Sequence, residues 1–401
     1  MLEDELKDPV AVDILKTLEK RCTPLKIESI DLPPSFNVMI PTINPELIFG
    51  GYIGLFNFIE FLINREYKVR ILVCEDIIPP IQRIISKLGE DNVVSRTLNH
   101  CEIVPCFDRS LTYSFGRDDI FIGYSWLTMR LAHLAAATLN GNRSIFFIQE
   151  FEPIFHHYDS LRFLAQETYT YPHNAVFNSP QLARYFESNE LGVFNQKNQG
   201  DHCIFKHAIS QIKPPSLEDI KQRPRKKVLL YARPERHAGR NMFEVSILAL
   251  KEAIRQQIFD TSTWDFYGIG SLEKISKKLF LTDNIELKLL QKMSYSEYTT
   301  SLSQYDIGIS LMYAPHPSVP PLEMASAGML TITTTFENRT ASEMTEISAN
   351  IISADHTVAS IVESIRLAVS GVDDYQSRCD NAKVNWPTSW DQSFDENFHA
   401  A

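Results

Sequence analysis

The chain has 401 residues, 44% of them hydrophobic, and its 39 basic and 50 acidic residues give a net charge of −11. A single hydrophobic core rarely grows beyond about 250–300 residues, so we expect two domains. The acidic balance and the lack of a dense lysine and arginine cluster argue against nucleic acid as a partner.

The amino-terminal stretch MLEDELKDPVAVDILKTLEKR is charged and amphipathic, unlike a secretory signal. The apolar run FIGYSWLTMRLAHLAAATL is interrupted by Arg130 and His133, so we expect no transmembrane segment. The six cysteines match no common zinc or redox spacing and predict reduced thiols. Together these features predict a cytoplasmic protein.

Short apolar runs bounded by turn residues recur in the first half of the chain. They predict the strands FNVMIPT (36–42), KVRILVCE (68–75), CEIVPC (101–106), DIFIGYS (119–125), RSIFFIQE (143–150) and NAVFNSP (174–180). Helical patterns lie between several of them, such as GYIGLFNFIEFLINR (51–65) and WLTMRLAHLAAATL (126–139). Continuous apolar strands that alternate with helices predict a parallel sheet covered on both faces.

Two glycines, Gly50 and Gly51, follow the first of these strands and open a helical pattern. Without side chains they allow a ligand to approach the backbone amides at the positive end of the helix. The G-x-G-x-x-G spacing of dinucleotide-binding proteins is absent. The pair therefore indicates either a ligand site or a tight turn that needs glycine for close packing.

Polar side chains crowd the end of the strand RSIFFIQE. They are Gln149, Glu150, Glu152, His156 and His157. Such a cluster could bind hydroxyl groups or transfer protons, whereas two adjacent histidines do not suit one zinc ion. We expect at least one of these side chains to line a ligand site, and the alternative is a solvated loop.

The segment SQIKPPSLEDIKQRPRKK (210–227) is rich in proline and charge, as expected for a linker or hinge. After it come the predicted strands KKVLLYARP (226–234), TWDFYGIG (263–270), IELKLL (285–290), YDIGISLMY (305–313), LTITTTF (330–336) and ANIISAD (349–355). We therefore expect two tandem Rossmann-like α/β domains, residues 1–210 and 211–385, that face each other across a ligand-binding cleft. The tail, residues 386–401, could cross back to the first domain.

A basic loop follows the first strand of the second domain. Its cationic residues are Arg233, Arg236, His237 and Arg240. Cations and free backbone amides before a helix suit a diphosphate, and Arg240 lies just before the next helical pattern. The alternative is a charged loop in which these side chains pair with Glu235 or Glu244.

Lys292 precedes a helix start at which Ser294 and Glu297 form a capping-box pattern, and it is a second candidate for a phosphate contact. Further along, Glu323 lies in the first turn of a helix that begins near Pro320, and we expect it to face the cleft. Its carboxylate could accept hydrogen bonds from the vicinal hydroxyls of a sugar. The alternative is a glutamate that only stabilises the helix dipole.

Four motifs carry a resemblance to a known family: IPTINPELIFGG, FIQEFEP, YARPERHAGRNMFE, and LMYAPHPSVPPLEMASAG with the following TTTFENRTASEM. On these motifs the chain resembles the retaining GT-B glycosyltransferases of family 4, most closely the bacterial dTDP-rhamnose-dependent rhamnosyltransferases. Where that family has a further glutamate at the donor sugar, this chain has Pro315.

The resemblance implies a donor site in the second domain. In it Arg240 and Lys292 bind the donor diphosphate and Glu323 binds the ribose. The other residues implied on the donor side are Arg233, His316, Ser318 and Pro321. On the acceptor or sugar side the implied residues are Gly50, Gly51, Gln149 and Glu152.

The resemblance also implies a reaction. A hexosyltransferase of this kind moves a sugar, L-rhamnose by closest similarity, from a dTDP- or UDP-sugar to a glycan or lipid-linked glycan with retention of configuration. Arg240, Lys292 and Glu152 are the implied catalytic residues, and neither a metal nor a cofactor is required. The setting would be bacterial cell-surface polysaccharide synthesis, in the cytoplasm or at the inner membrane face, with peripheral membrane contact and a homodimer possible.

Other functions remain open from the residues alone. A sugar-nucleotide epimerase or hydrolase would use Glu152 or His316 to move a proton. A non-catalytic scaffold would keep the nucleotide contacts without turnover, and Pro315 is its main support. A nicotinamide-dependent dehydrogenase ranks last because the glycine fingerprint is incomplete.

Overall fold

The computed structural model describes residues 9–48, 50–210, 212–271, 278–394 and 398. Contacts between residues divide the chain into two units. The described residues up to Phe205, together with Phe394 and Phe398, form the first unit, and Lys206–Ser393 form the second.

The first unit is built around a parallel sheet of seven strands. The strands in this unit are β1 (Lys26–Ile30), β2 (Phe36–Ile40), β3 (Val69–Val73), β4 (Glu102–Pro105), β5 (Thr112–Gly116), β6 (Ile120–Gly123), β7 (Ser144–Ile148), β8 (His173–Phe177) and β9 (His202–Ile204). Their order in the main sheet is β4-β3-β2-β6-β7-β8-β9, and β1 and β5 form a separate parallel pair. The order reverses at β2, which pairs with β3 on one side and with β6 on the other.

Helices connect these strands. They are α1 (Pro9–Cys22), α2 (Gly50–Asn64), α3 (Ile81–Leu88), α4 (Val93–His100), α5 (Trp126–Leu139), α6 (Ser160–Thr168) and α7 (Pro180–Ser188). Every residue of β3 and β7 is buried, as expected for strands covered on both faces. Helix α5 has the bounds that its apolar pattern predicts, because Ser125 and Thr128 form a capping box at its start.

The second unit repeats the architecture. Its strands are β10 (Lys226–Tyr231), β11 (Trp264–Ile269), β12 (Leu279–Thr282), β13 (Ile285–Leu289), β14 (Ile307–Ile309), β15 (Leu330–Thr334) and β16 (Ile351–Ala354). Their order is β12-β13-β11-β10-β14-β15-β16, parallel except for the antiparallel pair β12 and β13. Here the order reverses at β10, between β11 and β14.

The helices of the second unit are α8 (Leu217–Lys221), α9 (Phe243–Arg255), α10 (Tyr295–Leu302), α11 (Pro320–Ser326), α12 (Ala341–Ile347), α13 (Val358–Gly371), α14 (Tyr375–Asp380) and α15 (Trp390–Ser393). Alternate residues of β10 belong to opposite cores. Val228 and Leu230 pack in a cluster that includes Leu250 of α9, whereas Leu229 packs in a cluster that includes Met324 of α11. The continuous apolar run in this strand is explained by helices on both faces of the sheet.

The proline-rich segment that we predicted as a linker contains helix α8. This helix forms because Ser216 and Asp219 cap its start reciprocally and Ile220 is buried. Residues just before it belong to the second unit: Ile209 donates a backbone hydrogen bond to Pro387 O at 3.0 Å. Near the carboxyl terminus, Phe394 packs in the first unit against Phe58, with ring centroids 5.8 Å apart.

None of the helices in the described part of the chain combines the length and the apolar character that crossing a membrane requires. None of the six cysteines, all of which lie in the described ranges, forms a disulfide; Cys74 and Cys106 are buried and the other four are partly exposed.

Candidate functional site

The basic loop and the proline-rich loop of the second unit lie where its strand order reverses. Because β10 and β14 are parallel neighbours, the loops that follow them emerge at the same sheet edge. A hydrogen bond joins them, since Tyr313 N donates to Arg240 O at 2.8 Å. The structure therefore brings the basic loop and the proline-rich loop together.

Arg240 closes the basic loop. It lies in a 3-10 turn, Arg236–Asn241, and its Nη1 donates to His237 O at 3.4 Å. Met242 then adopts a left-handed conformation, with φ of 52°, and helix α9 begins at Phe243. The half-buried Arg240 thus stands directly before a helix amino terminus, where an anion is favoured.

Arg233 pairs with Glu235, which is the alternative to a diphosphate contact that the sequence left open. Its Nε donates to Glu235 Oε2 at 2.9 Å, and its Nη1 donates to the Tyr231 hydroxyl at 3.3 Å. Glu235 is buried and also accepts a hydrogen bond from Ser271 Oγ at 3.3 Å. Arg233 is therefore part of an internal ion pair, and its contact with a donor stays a prediction.

Lys292 is exposed in the loop before α10. The predicted capping box is confirmed, because Ser294 N donates to Glu297 Oε2 at 2.8 Å and Glu297 N donates to Ser294 Oγ at 3.2 Å. This reciprocal pair fixes the residues that follow Lys292. Its contact with phosphate stays a prediction.

The proline-rich loop leads into α11 through a constrained turn. Ser318 has φ of 66°, and its N donates to His316 Nδ1 at 2.9 Å. Pro315 and Pro321 are buried, and α11 begins at Pro320, as predicted. The backbone at Ser318 is therefore held in a conformation that residues other than glycine adopt rarely.

Glu323 lies in the first turn of α11, as predicted, but its side chain is only 1% exposed. Its Oε1 accepts hydrogen bonds from the Tyr295 hydroxyl and, at 3.4 Å, from Ser210 N. Burial raises the pKa of this carboxyl to about 7. We expected a carboxylate open to a ligand; the structure holds it inside the unit, and its contact with a ribose stays a prediction.

Tyr295 was not found by sequence reasoning. It is the first residue of α10, its hydroxyl accepts a hydrogen bond from Ser210 Oγ at 2.9 Å, and 57% of the residue is exposed. It lies 28 positions before Glu323 in the chain, so no local spacing links the two. Its place directly after the capping serine is the only signal that could have drawn attention to it.

In the first unit, Gly51 lies close to Gln149. A Cβ atom added to Gly51 would lie 2.6 Å from the Tyr124 hydroxyl and 3.9 Å from Gln149 Cγ. Gln149 is held in turn by Asn178, whose Nδ2 donates to Gln149 Oε1 at 3.1 Å. Gly51 therefore permits the close approach of residues that follow β2, β6 and β7. Gly50 opens helix α2, as predicted.

Tyr124 and Asn178 were missed by sequence reasoning. Both lie near the ends of predicted strands and directly follow the observed strands β6 and β8, at the carboxyl-terminal edge where ligands of parallel sheets bind. That position was the available signal.

Glu152 caps helix α5. Its Oε1 accepts a hydrogen bond from Trp126 N, the first residue of the helix, at 3.1 Å. Glu152 N donates to the Tyr169 hydroxyl at 3.3 Å. Burial, with a smaller contribution from the charge of Glu150, raises the pKa of the Glu152 carboxyl to about 8. A group that carries a proton near neutral pH can donate or accept a hydrogen bond with a sugar hydroxyl.

The two histidines after Glu152 differ in their surroundings. The His156 ring packs edge-on against Trp126, with centroids 6.0 Å apart, whereas His157 is exposed. Within the described residues, no three histidine, cysteine, aspartate or glutamate side chains are grouped as metal ligands would be.

Two family models match the chain. The model of the WsaF N-terminal domain matches residues 35–180, and the model of the WsaF C-terminal domain matches residues 226–366. Together they cover more than half of the chain and include candidate site residues of both units.

Among curated proteins, the chain is similar to the O-antigen biosynthesis protein RfbC of Myxococcus xanthus, with 26% identity over 265 residues. This match covers 63% of the chain but only 18% of RfbC. The chain therefore spans about a fifth of the length of that relative.

Solved structures share the fold at 11% identity. Sucrose-phosphate synthase from Thermosynechococcus elongatus superposes with a TM-score of 0.60, covering 88% of this chain and 93% of that one. HepE of Anabaena, solved with UDP and glucose, gives 0.58, with 90% and 96% covered. WaaG, a glycosyltransferase of lipopolysaccharide biosynthesis, gives 0.52, with 87% and 94% covered. The prediction of a GT-B fold with two Rossmann-like units is confirmed.

Proposed function

The chain belongs to the WsaF family, and on that premise we propose that it is a glycosyltransferase that moves a sugar from a nucleoside-diphosphate donor to a glycan. The GT-B fold and the name of the O-antigen relative support this function and point to the synthesis of a cell-surface polysaccharide. HepE, which has the same fold, binds UDP and glucose.

One observation carries the proposal most directly. In the second unit the basic loop and the proline-rich loop are joined through Arg240 and Tyr313 at the point where the strand order reverses. Open α/β sheets bind their ligands at this point, and Arg240 supplies a cation just before a helix amino terminus. A diphosphate is the anion that such an arrangement suits.

For the donor we propose dTDP-rhamnose, and for the stereochemistry we propose retention. The family resemblance of the four sequence motifs is what supports both. In the reaction, the bond between the anomeric carbon and the diphosphate oxygen breaks, and a bond from the acceptor oxygen to the same face of that carbon forms. The acceptor's proton passes to the departing diphosphate.

We assign the chain's residues the following parts in that reaction. Arg240 and Lys292 stabilise the negative charge that develops on the diphosphate, so no metal ion is required. Glu323 binds the pentose of the nucleotide, a ribose in UDP and a deoxyribose in dTDP, once the donor displaces the present partners of Glu323. Glu152, Gln149 and the backbone at Gly50 and Gly51 orient the acceptor or the transferred sugar. The remaining donor-side contacts are assigned to Arg233, His316, Ser318 and Pro321.

A transfer assay tests the function. The purified protein is incubated with dTDP-rhamnose or UDP-glucose, without magnesium, and with lipid-linked glycan from a bacterial membrane extract, and the released nucleoside diphosphate is measured. We expect the release of nucleoside diphosphate to depend on the extract. NMR of the product should show that the anomeric carbon keeps the configuration that it has in the donor. Absence of transfer from both donors contradicts the proposal, and an inverted product contradicts retention.

A matched pair of variants tests the site. Loss of a charge-assisted phosphate contact costs about 1.5–3 kcal/mol, which corresponds to roughly 10–150-fold in affinity. We therefore expect Arg240→Ala to weaken dTDP binding by at least about tenfold. Arg255→Ala is the control, because Arg255 lies on the exposed face of α9 and pairs with Glu252. Equal binding by both variants contradicts the assignment of Arg240.

A second candidate function is nucleotide-sugar binding without turnover. The observation that favours it is the buried Pro315, which stands where the resembled family has a glutamate. Binding of dTDP-rhamnose together with no transfer to any fraction of the extract would select this candidate.

A further inference from the structure

Large apolar side chains are exposed in the first unit at the end of the 3-10 turn Glu152–Phe155 and just after it. Phe155 is 41% exposed, Tyr158 is 94% exposed and Phe163 is 69% exposed. We call these three residues the aromatic patch. Single exposed apolar residues are ordinary, whereas three large ones on one turn and the helix start that follows it make this region a candidate contact surface.

The helix that follows does not explain this exposure. Asp159 is the N-cap of α6, and its Oδ1 accepts a hydrogen bond from Arg162 N at 3.0 Å. Tyr158 directly precedes the cap, and Phe163 is the fourth residue of the helix. Apolar residues at these two positions often pack together as a hydrophobic staple. In this helix both side chains stay largely open, so their apolar surface is available to a ligand.

Arg162 orients the Tyr158 ring. The guanidinium carbon of Arg162 lies 4.3 Å from the centroid of this ring. Arg162 Nη1 donates to Pro153 O at 3.1 Å, next to Glu152. One face of the tyrosine ring thus rests on a cation that is bonded to the Glu152 turn. A ring oriented in this way loses less conformational entropy when a ligand binds its open side.

The charge around the patch favours a neutral ligand. Between residues 149 and 171, Arg162 is the only lysine or arginine in the sequence. The acidic residues in this range are Glu150, Glu152, Asp159 and Glu167. Arg130 of α5 also reaches this region, where it pairs with Glu167 at 2.6 Å. Anionic lipid surfaces and nucleic acids are bound by clusters of cations, whereas these two arginines are outnumbered by four acidic residues.

Sugars match these features. A pyranose ring presents a face of C–H groups that packs on an aromatic ring, and its hydroxyls form hydrogen bonds with carboxyl, imidazole and guanidinium groups. We propose that the aromatic patch binds the acceptor glycan, stacking sugar units that lie beyond the unit glycosylated next to Glu152. This inference rests on the proposed function, and it specifies the acceptor as an uncharged oligosaccharide rather than a single sugar.

Calorimetric titration with free sugars tests the proposal. The probes are the monosaccharide and a linear tetrasaccharide of each of glucose, mannose and rhamnose, added to the full chain. We expect at least one tetrasaccharide to bind at least tenfold more tightly than its monosaccharide. Tyr158→Ala and Phe163→Ala should each remove most of that difference, and Tyr158→Trp should retain it because the aromatic face remains.

Leu367→Ala is the matched control, because Leu367 is a comparably exposed apolar residue in the second unit. We expect it to bind the tetrasaccharide like the wild type. All variants should bind dTDP equally. If the wild type does not bind dTDP, that result contradicts the proposed function and leaves the aromatic patch to be judged by the sugar titrations.

Three results would overturn the proposal. The first is that no tetrasaccharide binds more tightly than its monosaccharide, and the second is that Tyr158→Ala and Phe163→Ala bind it as the wild type does. The third is binding to sedimented vesicles of phosphatidylglycerol and phosphatidylethanolamine that Tyr158→Ala abolishes, since that result would assign the patch to a membrane.

Discussion

At the scale of single residues, the candidate sites of both units contain a buried carboxyl with a raised pKa. Glu152 accepts a hydrogen bond from Trp126 N, and Glu323 accepts hydrogen bonds from Tyr295 and Ser210. Burial is the main cause in both cases, and the pKa values rise to about 8 and about 7. Both side chains therefore change charge near neutral pH. In the protonated form each can donate a hydrogen bond to a sugar hydroxyl, and in the ionised form each can accept one.

Glu152→Gln should change the pH dependence of stability. The folded-state pKa of Glu152 lies above its unfolded value, so the folded protein binds an extra proton between about pH 4.5 and 8 and loses stability as pH rises through that window. Glutamine keeps the hydrogen bond to Trp126 and carries no charge. We expect the variant to gain roughly 1–3 kcal/mol over the wild type between pH 5 and pH 8, measured by urea unfolding. The control is Glu187→Gln on the exposed face of α7, and a pH profile for Glu152→Gln that parallels the wild type contradicts this account.

Tyr295→Phe should shift the pH dependence of nucleotide binding. The hydrogen bond from Tyr295 lowers the pKa of Glu323 against the effect of burial, so its removal raises that pKa further above its ordinary value. An ionised carboxylate is the stronger acceptor for the 3′-hydroxyl of the deoxyribose of dTDP, so dTDP affinity should rise as pH passes the pKa of Glu323. We expect this rise at a higher pH in the variant than in the wild type when titrations span pH 6 to 9. Coincident profiles, or a rise that persists in Glu323→Gln, would show that Glu323 is not the titrating group.

At the scale of elements, the sites depend on close approaches between strands and the helices that follow them. A Cβ atom added to Gly123, at the end of β6, would lie 2.7 Å from Met129 N in α5. Helix α5 also presents Trp126 N to Glu152. The glycine therefore lets the helix approach the sheet closely enough to place Trp126 N against the Glu152 carboxyl.

Gly123→Ala should destabilise the protein, because the added methyl group meets helix backbone that cannot rotate away. We expect a loss of about 3 kcal/mol in the free energy of unfolding, measured with urea. Gly239→Ala is the control, since an added Cβ there meets nothing within 4 Å. Equal free energies of unfolding for the two variants would contradict this account, because they would mean that β6 and α5 can move apart without losing stability.

Sequence patterns predicted the elements that carry strong and continuous signals. Strand β7 and helix α5 lie within their predicted ranges, and the capping box of α10 is present. Strands β1 and β12 were missed because their residues are mostly exposed or partly buried, so their apolar pattern is weak. The short helix α8 was missed because proline and charge obscured its capping residues.

The candidate site was predictable only in part, for a related reason. Arg240, Lys292 and Glu323 lie at positions that strand and helix boundaries define, and local sequence is sufficient to find such boundaries. The bond between Tyr295 and Glu323 and the approach of Tyr124 to Gly51 arise from packing between distant segments. No spacing along the chain encodes those contacts.

At the scale of the whole molecule, two units of similar architecture carry different chemistry. The second unit places cations before helix amino termini, which suits a diphosphate, whereas the first unit gathers amide, carboxyl and aromatic groups, which suit a sugar. A glycosyltransferase needs two sites, one for the charged nucleotide donor and one for the hydroxyl-bearing acceptor. The division of residue types between the units is the basis of our proposal.

The central claim is that this protein binds a nucleoside-diphosphate sugar through its own cations. Calorimetric titration of the purified chain with dTDP, UDP, GDP, ADP and NAD, each without and with magnesium, tests it most directly. We predict micromolar binding of dTDP or UDP, about −8 kcal/mol, that magnesium does not change and that Arg240→Ala weakens. Binding of none of these nucleotides, or of NAD alone, would contradict the claim.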